Sequence, residues 1–505
     1  MKTISKTNRA VFFYITLFSV NMSEMLLELL ASRIISPQFG NSNFVWTSVI
    51  GVILLSGIIG NIIGGRISVR DDKEILIAFL LMTGSIYIAI LSAFSDVMVS
   101  LLKTYGTHTD ADPVITAFLL FLFPTVVYGT TTPVITKEIF HLWENLNREE
   151  GKISSRIFAV ISGGSLVGTF VGGFFLIPSF GTHKNLIMLS VVTGILGLIQ
   201  IFGAGKAKSY KMLSTISFFA VSIIICSVGL DESKNEKSND VQLPVSIDTQ
   251  YSRITIEEGL YDDEKVRFYR SSDAFSSGTF TEKDKRYDLV FDYMKKYMEV
   301  VDRYPEGKTA YMIGGAAYGI PKYFISHYPD KSMDVVDIDP MAETIAKKYF
   351  YLDELIDDYG TDRLGIYAED GRIFLENTDK KYDYIFNDAF SGHVPVATLA
   401  TKEAALTVKE HLTNEGLYLF NVISAQEGKR GYFLSSEIKT LETVFDHVYC
   451  FRAYNGEDYD PRNDNNFIVV ASDRNLDFVE DLVKIDMSEA EVFTDDYCPV
   501  EKYRN

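Results

Sequence analysis

Met312-Ile313-Gly314-Gly315-Ala316-Ala317-Tyr318-Gly319 closes the apolar run Thr309–Ile313 and leads into a helical stretch. A short apolar run that ends in small residues reads as a buried strand turning into a helix. Small residues at such a turn let backbone approach a ligand at the start of the helix, so Gly314, Gly315 and Gly319 are candidate binding positions. Further strand-like runs follow at 333–338, Leu364–Ala368, 384–387, 416–423, 447–451 and 467–471. Helical spacing separates the earlier runs, and the polar loop 454–466 joins the last two as a hairpin. Strands alternating with helices predict a parallel sheet covered on both faces, with ligands at the carboxyl ends of its strands.

Those ends carry acids. The second reads Val336-Asp337-Ile338-Asp339-Pro340, with Asp337 23 positions beyond Gly314. An acid about 20 residues past a Gly-rich turn is placed to accept ribose hydroxyls. The third reads Glu369-Asp370-Gly371, where a side chain can meet the amino edge of adenine beside an open glycine. The fourth reads Asn387-Asp388-Ala389-Phe390 and aims Asp388 into the same crevice. Any one of these acids could simply cap the following helix, the preferred reading for Asp339 before Pro340. Acids at successive strand ends favour a nucleoside site.

The rest of the 505-residue chain divides by charge. Residues 1–230 hold 16 Lys+Arg and 12 Asp+Glu, whereas residues 231–505 hold 32 and 55. An acidic second half argues against nucleic acid and attracts cations. Three cysteines, with no CxxC or Cys/His ligand spacing, predict neither a disulfide framework nor a metal site. The first half contains apolar runs centred near Val20, Leu55, Ile88, Phe121, Leu166, Thr193 and Ile223, each long enough to cross a bilayer. Glu24 and Glu28 share one face of the first, with Arg33 about a turn beyond; such carboxylates either pair or mark a proton or cation path. Gly60 with Gly64, and Gly168 with Gly172, have helix-packing spacing. Tyr128-Gly129-Thr130-Thr131-Thr132-Pro133 predicts an interruption of the fourth span.

Arg66, Arg70 and Lys73, then Arg148, Lys152 and Arg156, then Lys206, Lys208 and Lys211 fall in alternate loops, which places the N-terminus in the cytoplasm. Seven spans then put the second half outside, whereas nucleoside ligands are made inside; its side of the membrane stays open. The predicted organisation is a transmembrane domain at 1–230 and a polar linker at 231–246. A β-rich subdomain and its connecting helix follow at 247–302, and a Rossmann-like domain at 303–505. In the β-rich part, 252–257 and 265–269 alternate and are expected to pair across Asp262-Asp263.

At Ile313-Gly314-Gly315, Val336-Asp337-Ile338-Asp339-Pro340, Glu369-Asp370-Gly371 and Tyr382-Asp383-Tyr384-Ile385-Phe386-Asn387-Asp388 the chain resembles the spermidine synthase family of aminopropyltransferases. With its apolar half, it resembles the bacterial members fused to a multi-span membrane domain; Asp495-Asp496 before Pro499 also looks like that subgroup's C-terminal end. The resemblance implies a small β-subdomain followed by a class I methyltransferase-like sheet. It implies decarboxylated S-adenosylmethionine as donor and an amine such as putrescine as acceptor, with Asp337 on ribose, Asp370 on adenine and Asp388 as general base. The lipid bilayer is the other expected partner, and a homodimer is among the assemblies this reading allows. The family's third glycine and the acid after it are replaced by Ala316 and Ala317, the following glycine by Tyr318, and a second acid after the catalytic one by Ser391. The family's Tyr-His-Glu is replaced near Phe291-Asp292-Tyr293, and its glutamine is not evident around 273–277. These departures keep two alternatives open: methyl transfer from S-adenosylmethionine, and a transporter or sensor that binds a nucleoside or polyamine without catalysis.

Overall fold

The computed structural model describes residues 6–39, 43–70, 73–106, 111–143, 150–203, 243–271, 274–391, 394–454, 456, 459–478 and 482–500. The chain divides into two compact units, Met1–Gln242 with Ile247–Arg253, and Leu243–Ser246 with Ile254–Asn505.

The first unit is built from α1 (Lys6–Phe39), α2 (Asn43–Ile67), α3 (Lys73–Tyr105), α4 (Ala111–Leu142), α5 (Glu150–Val171), a π-helical turn (Gly172–Leu176) and α6 (Ile177–Gly203). Among the described residues, five helices are long and apolar enough to cross a membrane, the last being the 53-residue run Glu150–Phe202. One crossing needs roughly 20 residues, so this run has length for two. Gly181, at φ 72°, breaks its helical geometry between the two expected centres. The expected span near Ile223 lies outside the described residues.

The predicted interruption at 128–133 does not occur: α4 runs unbroken through Pro124 and Pro133. A proline removes a single ladder donor, and the Thr131 hydroxyl bonds back to Val127 O at 2.8 Å. The expected glycine packing has a steric cause. A Cβ at Gly60 would stand 2.5 Å from Val126 O and 2.9 Å from Thr130 N, so α2 lies backbone against backbone on α4. Gly168 faces Met22 O of α1 in the same way, and a Cβ at Gly172 would meet Leu26 at 2.8 Å. Glu28 Oε2 is buried without a hydrogen-bond partner among the described residues.

A small sheet, in the second unit from Ile254 onward, runs β1 (Val245–Asp248), β2 (Arg253–Tyr261), β3 (Glu264–Ser271), β4 (Ala274–Phe280). The expected pairing is present: β2 and β3 are antiparallel, with Tyr261 opposite Glu264. The turn residues Asp262 and Asp263 both have positive φ, the geometry that matches strand twist in a two-residue hairpin. Helix α7 (Asp292–Arg303) follows.

The main sheet contains β5 (Thr309–Ile313), β6 (Ser332–Asp337), β7 (Leu364–Ala368), β8 (Tyr382–Asn387), β11 (Leu412–Ser424), β12 (His447–Arg452) and β13 (Asn465–Ser472). The short pair β9 (Phe390–Ser391) and β10 (Val394–Pro395) stands apart. The order is β12-β13-β11-β8-β5-β6-β7. Pairings are parallel from β7 to β11, and β13 runs antiparallel to both neighbours. This is the class I methyltransferase-like, Rossmann-like arrangement expected. Strand alternation sorts the side chains onto two faces. Met312, Phe386 and Leu419 pack with α7, α8 (Gly319–His327), α9 (Met341–Tyr349) and α10 (Leu352–Tyr359). Ile313, Ile385 and Phe420 pack with α11 (Gly371–Glu376), α12 (Lys402–His411) and α13 (Tyr432–Glu442). Each such side chain contributes about 1.5–3 kcal/mol on burial, so both faces must be covered and only the strand ends stay open to a ligand.

Candidate functional site

Strand order reverses between β5 and β8, and a crevice outside the carboxyl ends of these strands is where such sheets bind ligands. The two chain segments that leave there are stitched together. The Asp388 N–H donates to Ile313 O at 3.0 Å, and the Gly314 N–H to Val336 O at 2.8 Å. A Cβ at Gly314 would lie 2.7 Å from the Asp388 carbonyl oxygen, and its φ is 92°. Contact and conformation therefore both demand glycine here.

Asp337 closes the turn from the next strand. Its Oδ2 accepts from Gly315 N at 2.8 Å and Ala316 N at 3.1 Å, and its Oδ1 from Asp339 N at 2.9 Å. Each carboxylate oxygen can accept twice, so Oδ2 is filled by its two N–H donors and one lone pair remains on Oδ1 for a hydroxyl. Asp339 is a cap, as its sequence suggested: its Oδ1 accepts from Met341 N at 3.0 Å. Asp370 follows β7 and caps α11, its Oδ1 accepting from Arg372 N at 2.9 Å and Ile373 N at 3.1 Å. Gly371 beside it lies against Ile313, and its carbonyl accepts from the Tyr311 hydroxyl at 2.7 Å. Arg372 grips Asp495 with two 2.8 Å bonds, which brings the C-terminal acidic pair to the start of the same helix.

Gly314, Gly315, Asp337 and Asp388 thus meet through direct contacts, and Asp370 and Gly371 join them through β5. Gly319 stands apart: it opens α8, and a Cβ there would meet Ser277 Oγ at 3.3 Å and Met294 Sδ at 3.5 Å. Ala317, at the position of the expected acid, is fully buried.

Asp388 is half-buried, and both its oxygens are held by neutral donors. Asn421 Nδ2 of β11 donates to Oδ1 at 2.8 Å, and the Tyr293 hydroxyl of α7 to Oδ2 at 3.1 Å. Loss of water raises the cost of the charged form, and this outweighs the two donors, pushing the carboxyl up to about 7. Burial and the charge of Asp388 push the Tyr293 phenol well above its ordinary value, so it stays a donor. Tyr297, one turn along α7, donates to Asn387 O at 3.1 Å. A carboxyl poised near neutrality suits proton transfer. Among the described residues, no group of three or more His, Cys, Asp or Glu is placed to hold a metal ion.

Asn421 is not singled out by sequence, and Tyr293 enters only within Phe291-Asp292-Tyr293, the stretch where the family's Tyr-His-Glu is replaced. Tyr293 sits in a helical apolar pattern that reads as core. Asn421 gave a usable signal: it is the polar residue inside the apolar run Leu417-Tyr418-Leu419-Phe420-Asn421-Val422-Ile423, and a buried amide needs a partner.

Residues 300–454 match the family model described as Spermine/spermidine synthase domain. A polyamine aminopropyltransferase of Vibrio vulnificus (strain CMCP6) is 27% identical over 172 residues, 34% of this chain. The chain spans about half the length of that relative, 53%. Polyamine aminopropyltransferase 2 of Aquifex aeolicus (strain VF5) is 23% identical over 467 residues, 87% of this chain and 84% of that protein. Among solved structures, a probable spermidine synthase from Corynebacterium glutamicum ATCC 13032 is similar at 21% identity and a TM-score of 0.40, over 46% of this chain and 82% of that one.

Proposed function

We propose, from the premise that the C-terminal region of this chain is a spermine/spermidine synthase domain, that the protein is a membrane-anchored aminopropyltransferase. It takes the aminopropyl group of decarboxylated S-adenosylmethionine and passes it to an amine such as putrescine. The observation that carries this reading is Asp388, a carboxyl poised near neutrality at the switch point of a nucleoside-type sheet. A protonated amine has no lone pair to attack with. Asp388 accepts its proton; the nitrogen then bonds to the methylene beside the sulfonium as the carbon–sulfur bond breaks, and the electron pair returns to sulfur. The leaving group is a neutral thioether nucleoside, so holding the two reactants in line supplies much of the acceleration. In this reading Asp337 binds the ribose through the acceptor position left on its Oδ1, Asp370 and Gly371 meet the adenine edge, and the turn Gly314-Gly315 lies beneath the nucleoside.

The full-length protein in detergent tests this. Asp388→Asn is expected to lower turnover by about 10²–10⁴, the usual worth of a general base, with nucleoside affinity by calorimetry nearly unchanged. Turnover equal to that of the unaltered protein removes Asp388 from its role. A second reading, methyl transfer from S-adenosylmethionine, is favoured by Ala317, which leaves a donor's amine without the acid that the resemblance expects. Calorimetry with both donors, followed by product analysis, separates the two.

A further inference from the structure

The carboxylate at the centre of the site does not orient itself. An ionised carboxylate only accepts hydrogen bonds, whereas the two ends of an asparagine amide are nearly the same shape, one donating and the other accepting. Asn421 is 2% exposed, so water does not choose which end faces Asp388. Its Nδ2 faces Asp388 Oδ1 at 2.8 Å, which sends its Oδ1 away from the site. Asn466 Nδ2, on the neighbouring antiparallel strand β13, donates to that oxygen at 3.0 Å. In the strand register Asn466 lies opposite Ile423, two residues from Asn421, a diagonal that a side chain can span. The Asn466 backbone is held too, its carbonyl accepting from Ala453 N at 2.9 Å.

We infer that Asn466 is a positioning residue for Asp388: by donating to the Asn421 oxygen it locks the Asn421 amide with its N–H toward the carboxylate. With an acceptor in place of that donor, the amide would turn and offer its oxygen to Asp388, and the carboxyl would have to keep a proton to bond with it. Among the described residues, the titratable groups facing Asp388 are the phenols of Tyr293 and Tyr297 on α7. Strands β11 and β13 present the neutral Asn421 and Asn466, and the loop after β5 presents the Gly314 backbone. The chain Asn466–Asn421–Asp388 is thus a neutral relay running from the half-buried flank of β13 to the proton acceptor.

The kinetic part of this inference rests on the reading of Asp388 as the proton acceptor, so the test has two readouts. Asn466→Asp replaces the donor by an acceptor that competes for the Asn421 N–H. Asn466→Leu removes the donor and offers no acceptor. In the full-length protein, the Asp388 titration is followed by infrared difference spectroscopy, assigned with Asp388→Asn, and the acid limb of kcat/KM is recorded in parallel. Asn466→Asp is expected to raise the Asp388 pKa by about one unit or more, and Asn466→Leu by clearly less, both with nucleoside affinity retained. An unmoved Asp388 titration in Asn466→Asp overturns the relay, as does an equal shift in both variants, which would mean packing rather than amide orientation. A titration that moves while the kinetic limb does not leaves the relay standing and removes Asp388 as the kinetic base.

Discussion

Tyr293→Phe isolates what one phenol does for the Asp388 carboxylate. The hydroxyl reaches Oδ2 at 3.1 Å, and Asn421 holds the other oxygen. A hydrogen bond to a charged group is worth about 1.5–3 kcal/mol, and one pKa unit corresponds to about 1.36 kcal/mol. Removing the donor destabilises only the ionised form, so the Asp388 pKa rises by about one to two units. From its place at about 7, it then lies at roughly 8–9. The sign is fixed: a base with a higher pKa is protonated over more of the neutral range, so activity is lost at low pH and returns as pH rises. At pH 7 the ionised fraction falls from about one half to roughly 1–10%, a drop in kcat/KM of about 5- to 50-fold. By pH 9.5 the deficit shrinks to less than about twofold. The assay is a pH profile of kcat/KM for transfer to the amine, with the acid limb fitted for each protein. A loss that is the same at every pH, or an acid limb that moves downward, refutes the argument that Tyr293 acts through the charge of Asp388.

Asp337→Asn leaves one carboxylate oxygen's worth of acceptor for the three N–H groups of Gly315, Ala316 and Asp339; nucleoside affinity by calorimetry is expected to fall by about 10- to 100-fold, and an unchanged Kd would separate this turn from the binding site. Gly60→Leu forces a side chain into the backbone of α4 and is expected to cost the helical unit about 1–3 kcal/mol. Both tryptophans, Trp46 and Trp143, belong to that unit, so their fluorescence should show a lower melting midpoint, and an unaltered midpoint would mean that α2 and α4 do not pack this closely.

Periodicity made the main sheet readable because its strands are short, apolar and buried on both faces. Thr309–Ile313 and Leu364–Ala368 have the bounds their residues suggest. β11 begins earlier than the apolar run at 416–423 because Leu412 already pairs with Tyr382, across an irregularity before Leu417. The acids at the strand ends were legible through their offsets from the glycine turn. What surrounds Asp388 was not, because Tyr293 and Asn421 lie 95 and 33 residues away along the chain. Hydrogen-bond partners that distant have no spacing rule; they are set by the pairing of β8 with β11 and by the way α7 lies across the sheet. In the helical unit, the separate centres near Leu166 and Thr193 anticipate a break, and it falls at Gly181, where φ is positive. Pro133 also looked like an interruption, yet α4 runs through it. Proline marks where a donor is missing, whereas a true break needs a residue able to adopt the other hand of the backbone.

The phenol that tempers Asp388 comes from α7, which precedes the first strand of the main sheet, whereas the carboxylate itself follows β8. The acidity of the central group is thus partly inherited from a segment upstream of the main sheet. Natural or engineered exchange of that upstream segment among relatives would retune the working pH while every strand of the framework kept its own residues.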